Sequence, residues 1–485
     1  MGELSLRFEG QPDAWRAVLA ICGAVARRGG RAHLVGGCVR DALLGLSVHD
    51  FDLEVFGVAP DDLESLLRES YEVDLVGEAF GVLKLRGLPI DVALPRREAK
   101  VGRGHRAFHV LSDPQMSFSN AAARRDFTIN AIAWEPLRGE LVDPFDGVAD
   151  LRGRILRHTS PRFVEDPLRV LRGMQLASRF ELMPAAETVA LARTIDLEGL
   201  AVERIFEEWR KLLLLGPRPS LGLRFLRAGG WLRHFPELED LVGCPQDPRW
   251  HPEGCVWRHT LHVLDAFAGA RTGDAIDDLV VGLACLCHDL GKPPTTKWSE
   301  QRWRSLGHEA AGEEPSRRLM ARLGVPQRHV DDVVRLVLEH LRPEQLFRAG
   351  AGDVAVRRLA RRVQRIDRLV RLAVADARGR PPLPDTGEEA AIWLLERARS
   401  LEVEAAAPKP LVLGRHLIAA GLSPGPHFRA LLDRCFEAQL DGAFQDTAGG
   451  VLFLGSLLRE GAAAGEEIAA GAGGPAGSGE RGPSP

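Results

Sequence analysis

The 485-residue chain has no apolar run near the 18 residues a membrane span needs, and no basic-then-apolar leader at residues 1–30. Both absences argue against a membrane or exported protein, and the expectation is a soluble, cytoplasmic one. Cysteine is scarce: seven, at positions 22, 38, 244, 255, 285, 287 and 435, odd in number and scattered. That excludes a disulfide framework, and the pair at 285 and 287 has no second pair to complete a zinc site, so thiols are expected. Excess positive charge is also missing. The net charge is −4, so the chain is no general cationic nucleic-acid binder, and any RNA affinity must come from local basic stretches. Only six of the 63 basic residues are lysine, which follows genome composition as readily as function. There is no internal repeat. What is present, 45% hydrophobic and 27% charged residues over this length, suggests three or four domains with substantial cores.

The stretch that organises the rest is LVGGCVRDALLGLSVHDFDLEVF, residues 34–56. Leu34 and Val35 end a buried strand, and Gly36-Gly37 lets the backbone turn and approach a ligand without a Cβ. The spacing from Cys38 to Leu44 predicts a helix with Arg40 in its first turn, so that a helix N-terminus and a guanidinium face one anion. Alternation over residues 50–56 puts Asp50, Asp52 and Glu54 on one face of a strand, and Phe51, Leu53 and Val55 on the other. Paired carboxylates suit Mg²⁺, and two such ions ~3.5–4 Å apart activate a hydroxyl and neutralise a departing pyrophosphate. The stretch resembles the signature of the class II nucleotidyltransferases, the family of CCA-adding tRNA nucleotidyltransferases and bacterial poly(A) polymerases. The resemblance implies that Asp50 and Asp52 are catalytic metal ligands.

Helical periodicity covers residues 11–28 and 61–70, and short strands are expected at 71–76, 80–86 and 90–94. Asp91 on the last of these is an additional candidate for the metal site. Residues 96–125 hold seven Lys/Arg against two acids with little periodicity, and read as a mobile basic loop that contacts RNA or clamps substrate. RRDFTINA at 124–131 matches a motif of the same family, which implies that Arg125, Asp126 and Asn130 hold the nucleotide, as do Gly36, Gly37 and Arg40. DPFDG at 143–147 and Asp150-Leu151 match the next motif, expected to brace a head-to-neck junction. After Gly153 the pattern is expected to be helical throughout.

In Glu165-Asp166-Pro167-Leu168-Arg169, Asp166 and Arg169 are expected to project from one helix face. An acceptor beside a donor fits cytosine and adenine alike, because N4–H₂ or N6–H₂ lies next to ring acceptors, while uracil and guanine present the opposite order. The family's EDxxR motif implies this selection of CTP and ATP without a nucleic-acid template; the bare alternative is a helix ion pair. Arg204, Glu208 and Lys211 match the last motif and read as neck packing and bracing.

A second constellation follows: Arg258-His259-Thr260, Cys287-His288-Asp289-Leu290-Gly291-Lys292, His308, His340 and Asp376. Imidazoles with carboxylates on helices make a metal site open to water. Residues 245–380 resemble the HD superfamily of metal-dependent phosphohydrolases. That implies His259, His288, Asp289 and Asp376 as ligands, His308 and His340 as additional ones, and a divalent transition metal of unspecified identity. Leu359, Val363, Ile366 and Val370 are expected to make the buried stripe of one helix over 354–380, with Arg357, Arg358, Arg361, Arg365 and Arg368 on an exposed cationic side that guides RNA.

The expected fold class is α+β. A small N-terminal mixed sheet with helices (1–150) precedes an all-α neck (151–235), an all-α HD domain (236–384), a helical segment (385–460) and a disordered tail (461–485). The expected function is CCA addition to tRNA 3′ ends from CTP and ATP, with Mg²⁺ in the head and an attached phosphohydrolase. An A-adding, CC-adding or poly(A)-forming enzyme, or an RNA-repair factor acting mainly through the HD region, is the alternative.

Overall fold

The structure, a computed structural model, describes residues 11–76, 81–100, 108–383 and 386–463. The expected disordered tail lies almost wholly outside the described residues, as does the centre of the expected basic loop, residues 101–107. By compactness the chain forms two units, one running to Val330 with Arg378–Pro382 added, the other comprising Asp331–Ala377 and the residues from Leu383 onward. The boundary falls within the expected 236–384 segment.

The first unit begins with helix Pro12–Arg27. Proline at its start loses no helical hydrogen bond, and Asp13 and Arg27 complement the dipole at its two ends. Its buried stripe, Ala14, Ala17, Val18, Ile21, Cys22 and Val25, recurs every three or four residues. This stripe packs on a seven-stranded sheet. Its strands are β1 Arg31–Val35, β2 Phe51–Phe56, β3 Val73–Val76, β4 Val82–Leu85, β5 Ile90–Ala93, β8 Ala133–Glu135 and β9 Glu140–Val142, and β6 Arg96–Lys100 and β7 Phe108–Ser112 form a separate ribbon between them in the chain. The sheet order is β3-β4-β5-β2-β1-β8-β9, with β2 and β5 parallel and the other pairings antiparallel. Phe51, Leu53 and Val55 are each at most 1% exposed and join Leu63, Leu66 and Leu67 of helix Pro60–Arg68 in the same core. Burial of each such side chain is worth up to ~1.5–3 kcal/mol, and it fixes which face of β2 remains for chemistry.

Strands β6 and β7 correct the expectation of an irregular basic loop, since Arg96 through Lys100 pair antiparallel with Phe108 through Ser112. The ladder is made by backbone groups, which residue type hardly signals in this polar stretch. The neck is built on helices Leu168–Arg179, Val202–Leu215 and Pro219–Ala228, which pack on one another. It is not purely helical, because two two-residue strands, β10 (Ile155–Leu156) and β11 (Met183–Pro184), pair in parallel. The expected all-α HD region likewise contains an antiparallel ribbon, β12 (Lys297–Ser299) with β13 (Arg302–Arg304).

In the second unit, the expected single helix over 354–380 is two, Asp353–Val363 and Ile366–Arg378, broken where Gln364 takes φ 66°. Leu359, Val363, Ile366 and Val370 are buried as expected. The cationic side is instead an ion-paired seam. Arg358 meets Asp441 at 2.7 Å, Arg361 meets Glu437 and stacks on Phe436, and Arg365 meets Asp367 at 2.6 Å. Arg368 is buried at 8% exposure beside Asp332. A separate core of Val412, Leu417, Leu431, Cys435, Phe444, Leu454 and Leu457 holds the C-terminal helices. All seven cysteines are free, and no helix among the described residues is long and apolar enough to cross a membrane.

Candidate functional site

The open face of the head sheet carries the first site. Asp52 on β2 lies in register with Asp91 on the parallel neighbour β5, so both carboxylates stand on the face opposite Phe51, Leu53, Ile90 and Val92. Parallel neighbours are ~4.8 Å apart, which brings Asp91, an additional candidate on sequence grounds, beside Asp52. Asp91 pairs with Lys84 at 2.9 Å, while Asp50, just before the strand, is exposed. Asp52 is held above the usual carboxylate range, first by desolvation and then by Asp91 and Asp50, with Arg125 opposing. Its side chain nevertheless stays open to solvent, which leaves room for an ion and a nucleotide beside it.

The Gly36-Gly37 turn closes over this face. Gly36 has φ 78° and ψ −136°, and a Cβ there would stand 3.1 Å from Arg125 Nη1 and 3.6 Å from Asp52 Oδ2. Glycine is therefore required both by backbone angle and by the approach of the two side chains. Arg125 also pairs with Glu54 at 3.3 Å.

Helix Gly37–Leu43 forms as expected, but Arg40 does not face an anion in the open. It is 5% exposed, donates to Asp41 at 2.7 and 2.8 Å and to Asn130 Oδ1 at 2.6 Å, and lies 4.3 Å over the Phe180 ring. Asn130 Nδ2 in turn donates to Asp126 Oδ1 at 3.0 Å, and Arg172 Nε donates to Asp126 Oδ2 at 2.6 Å. One hydrogen-bonded chain thus runs from the glycine turn to the neck helix. Burial would push Asp126 up, yet Arg172, the Asn130 amide and the Phe127 N–H together hold it below the ordinary range. At the junction, Asp150 accepts from Thr128 at 2.8 Å and pairs with Arg157 at 3.1 Å.

Asp166 and Arg169 come together differently from the expectation of a shared helix face. Asp166 precedes helix Leu168–Arg179 with an extended backbone (φ −130°, ψ 111°) and caps it, accepting from the Leu168 N–H at 2.9 Å. Arg204 Nη2 meets its other oxygen at 3.1 Å. Arg169 donates to the carbonyls of Arg162 and Arg124 at 2.5 and 2.7 Å. Arg204, read as bracing, therefore touches the expected base-reading acid directly. Arg172 was missed altogether, although its position three residues after Arg169 on one helix was a readable signal.

The second site lies deeper. His259 on helix Val256–Gly269 and His288 at the end of helix Ala275–Cys287 are fully buried, and Asp289 is 1% exposed. His259 Nδ1 is 3.1 Å from the Gly379 carbonyl and 3.0 Å from Glu253, and His288 Nδ1 is 2.9 Å from the Cys285 carbonyl. These acceptors assign the proton to Nδ1 on both rings, so the two Nε2 lone pairs face each other across 3.2 Å. Asp289 Oδ2 stands 3.4 Å from His288 Nε2 and 3.8 Å from His259 Nε2. Opposed lone pairs beside a carboxylate are relieved by a cation between them, so these residues fit a divalent metal.

Burial would raise Asp289, but Lys292, His288 and His259 hold it well below the usual range. Lys292 Nζ is 2.8 Å from Asp289, and His308 Nε2 is 3.5 Å away on its other oxygen. Gly291 allows this packing, since a Cβ would meet the His308 carbonyl at 2.0 Å. His251, Glu253 and His259 form an adjoining group that could hold a metal. Glu253 is drawn down to about 2, its burial overcome by both histidines, while burial takes His251 down to about 4. Lys292 stands in the sequence constellation without a role of its own, and His251 and Glu253 are absent from it, although a His-x-Glu close before His259 was visible there. His340 and Asp376 lie in the second unit. His340 is buried with Nδ1 2.7 Å from the Val337 carbonyl, Asp376 is half-buried in helix Ile366–Arg378, and the ligand role of Asp376 rests on the resemblance alone.

Residues 32–157 match the poly A polymerase head domain, 188–241 the probable RNA and SrmB-binding site of polymerase A, and 256–373 the HD domain. The multifunctional CCA protein of Stenotrophomonas maltophilia (strain K279a) is 40% identical over 364 residues, 72% of this chain and 86% of the relative. That of Xanthomonas oryzae pv. oryzae (strain MAFF 311018) is 37% identical over 430 residues, 86% of this chain and all of the relative. In fold, the chain is similar to the Bacillus stearothermophilus CCA-adding enzyme solved with CTP, with a TM-score of 0.63, 22% identity, and coverage of 93% of this chain and 99% of that one. It is also similar to the Thermotoga maritima CCA-adding enzyme solved with tRNA, with a TM-score of 0.57, 18% identity, and coverage of 93% and 96%. On sequence identity over most of its length, the chain belongs to the multifunctional CCA protein family, with a poly A polymerase head and an HD domain in one polypeptide.

Proposed function

We propose that the head adds C, C and A to tRNA 3′ ends from CTP and ATP, and that the buried histidine site hydrolyses phosphate esters at RNA ends in the cytoplasm. The observation that carries the first part is the open carboxylate face of β2 and β5, set beneath the Gly36 turn and beside Arg125. Asp50 and Asp52 would hold Mg²⁺, with Asp91 beside them. When bound, the ions lower the pKa of the attacking hydroxyl and neutralise the leaving pyrophosphate. Around them the chain's own groups orient the nucleotide: Gly36-Gly37 and Arg125 at the phosphates, Asn130 and Asp126 at the sugar side.

Asp166 presents an acceptor and Arg169 a donor to the base edge. Fixing Asp166 through Leu168 N–H and Arg204, and Arg169 through two carbonyls, keeps that order constant when no nucleic-acid template supplies it. In the HD region His259, His288 and Asp289 would hold a transition metal, which imidazole ligands favour over Mg²⁺. When bound, such an ion makes water a nucleophile near neutral pH. The proposed division of labour is a head over 1–150, a base-selecting neck over 151–235 and a phosphohydrolase over 236–384.

The test is to incubate purified protein with tRNA ending at the discriminator base, or after one or two added C residues, and each nucleotide triphosphate singly. CTP should extend the first two substrates and ATP only the third, with UTP and GTP inert. Extension by ATP alone, stopping after CC, or long A tracts would each identify one of the narrower polymerases, and no extension at all would overturn the reading.

A further inference from the structure

The β12–β13 ribbon has no part in either site as described. Trp298 and Trp303 lie directly opposite each other across it, and Glu300 and Gln301 make its turn with φ 48° and 58°. Positive φ at both positions is the turn geometry that closes a two-residue hairpin, but a ribbon this short does not hold itself together. Its base holds it. Thr296 Oγ1, immediately before β12, donates to the Lys292 carbonyl at 2.7 Å and lies 2.7 Å from Ser305 Oγ, immediately after β13. His308 Nδ1 is 2.8 Å from the Ser305 carbonyl. Lys292 and His308 both stand beside Asp289, so both ends of the ribbon are tied to the rim of the metal site. Arg302, 3.9 Å from Asp247, fixes it sideways to the segment whose Gln246 accepts from Lys292 Nζ at 2.7 Å.

From that base the ribbon extends about 10 Å, three residues at strand rise. Its surface is aromatic where a solvated turn would be polar. Trp298 is 60% exposed, with the indoles of Trp298 and Trp303 edge to face at 5.2 Å and 71°. Lys297, Arg302 and Arg304 project from the ribbon's other face, where Arg304 pairs with Glu300 and Arg302 reaches toward Asp247, which leaves Lys297 as the exposed cation next to the indoles. A purely apolar partner would cover the indoles and leave Lys297 at their edge unanswered. A nucleobase with its phosphate answers both.

We propose that the Trp298–Trp303 ribbon is a base-stacking platform for the last nucleotides of a single-stranded RNA whose terminal phosphate lies at the site around Asp289. The proposal rests on reading that site as a phosphoester site. The ribbon sets the substrate class: a phosphate ester attached to a nucleobase, at the end of an unpaired strand, in preference to a small base-free ester.

To test it, the full-length protein is irradiated with a short single-stranded RNA carrying 3′-terminal 5-iodouridine and a 3′-phosphate, and the adduct is mapped by mass spectrometry. The expected adduct lies within residues 297–304, and adducts confined to other segments would overturn the platform. In parallel, Trp298→Ala should raise KM for a nucleoside 2′,3′-cyclic phosphate about tenfold with kcat retained, Trp298→Phe should restore most of it, and glycerol phosphate hydrolysis should not change. Equal losses on both substrates, with the fold intact by circular dichroism, would contradict stacking. If no ester is hydrolysed by the unmodified protein, the phosphohydrolase reading fails by itself and the adduct map still decides the platform.

Discussion

Gly36 shows how much of the chemistry depends on single backbone positions. With φ 78°, and Arg125 and Asp52 within 3.1 and 3.6 Å of where a Cβ would stand, Gly36→Ala meets both strain and displaced side chains. The angle alone costs at least ~1–2 kcal/mol. Displacing reacting groups by an ångström lowers rates by about a hundredfold, so CMP and AMP incorporation by Gly36→Ala should fall by that order while tRNA binding persists. Unimpaired incorporation would show that the turn does not shape the site. His33, on β1 opposite Glu54, supplies a pH signature of the head. Burial, then Arg31, takes its imidazole down to about 4 from an ordinary value of 6.5. The unfolded chain therefore gains a proton that the folded chain refuses, so this stability is complete above pH 6.5 and is lost as pH falls through 4. The thermal midpoint of the unmodified protein should decline more between pH 7 and 4.5 than that of His33→Phe, and parallel declines would contradict a neutral buried His33.

At the scale of elements, what was legible followed periodicity. The alternation of Phe51, Leu53 and Val55 located β2 and its open face, and the apolar stripe of Pro12–Arg27 located the helix beneath it. Strands β6 and β7 escaped notice because Arg96–Lys100 has no alternation to read, and its pairing depends on backbone partners across residues 101–107. The break at Gln364 was equally hidden, since no glycine or proline marks it. Asp166 was recognised as part of the base-reading pair, but its place before the helix, as cap and as Arg204's partner, depends on a residue 38 positions away. Arg204→Ala should leave phosphoryl chemistry running while CTP and ATP preference over UTP and GTP falls roughly two- to fourfold, below the ~1–3 kcal/mol that a direct base contact carries. Misincorporation measured with each single triphosphate checks this, and unchanged selectivity would return Arg204 to bracing alone.

For the whole molecule, charge and division of labour matter most. Arg358 and Arg361, read from sequence as part of an RNA-guiding face, have acidic partners far along the chain, Asp441 and Glu437. No local pattern could have shown that pairing. The two candidate sites use different donors, carboxylates in the head and buried imidazoles with Asp289 in the HD region, and so should fail separately. His288→Ala should abolish phosphoester hydrolysis and spare CTP and ATP addition, whereas loss of both together would mean the HD region supports the fold and carries no separate chemistry. The central claim concerns the open face of β2, and it is tested most directly by single-turnover AMP incorporation into tRNA ending in CC, comparing Asp52→Asn with the unmodified protein. Loss of a metal ligand should lower the rate by roughly 10³-fold or more, several kcal/mol, with tRNA affinity nearly unchanged. An Asp52→Asn protein that incorporates AMP at the normal rate would contradict the assignment of the head as the nucleotidyl-transfer site.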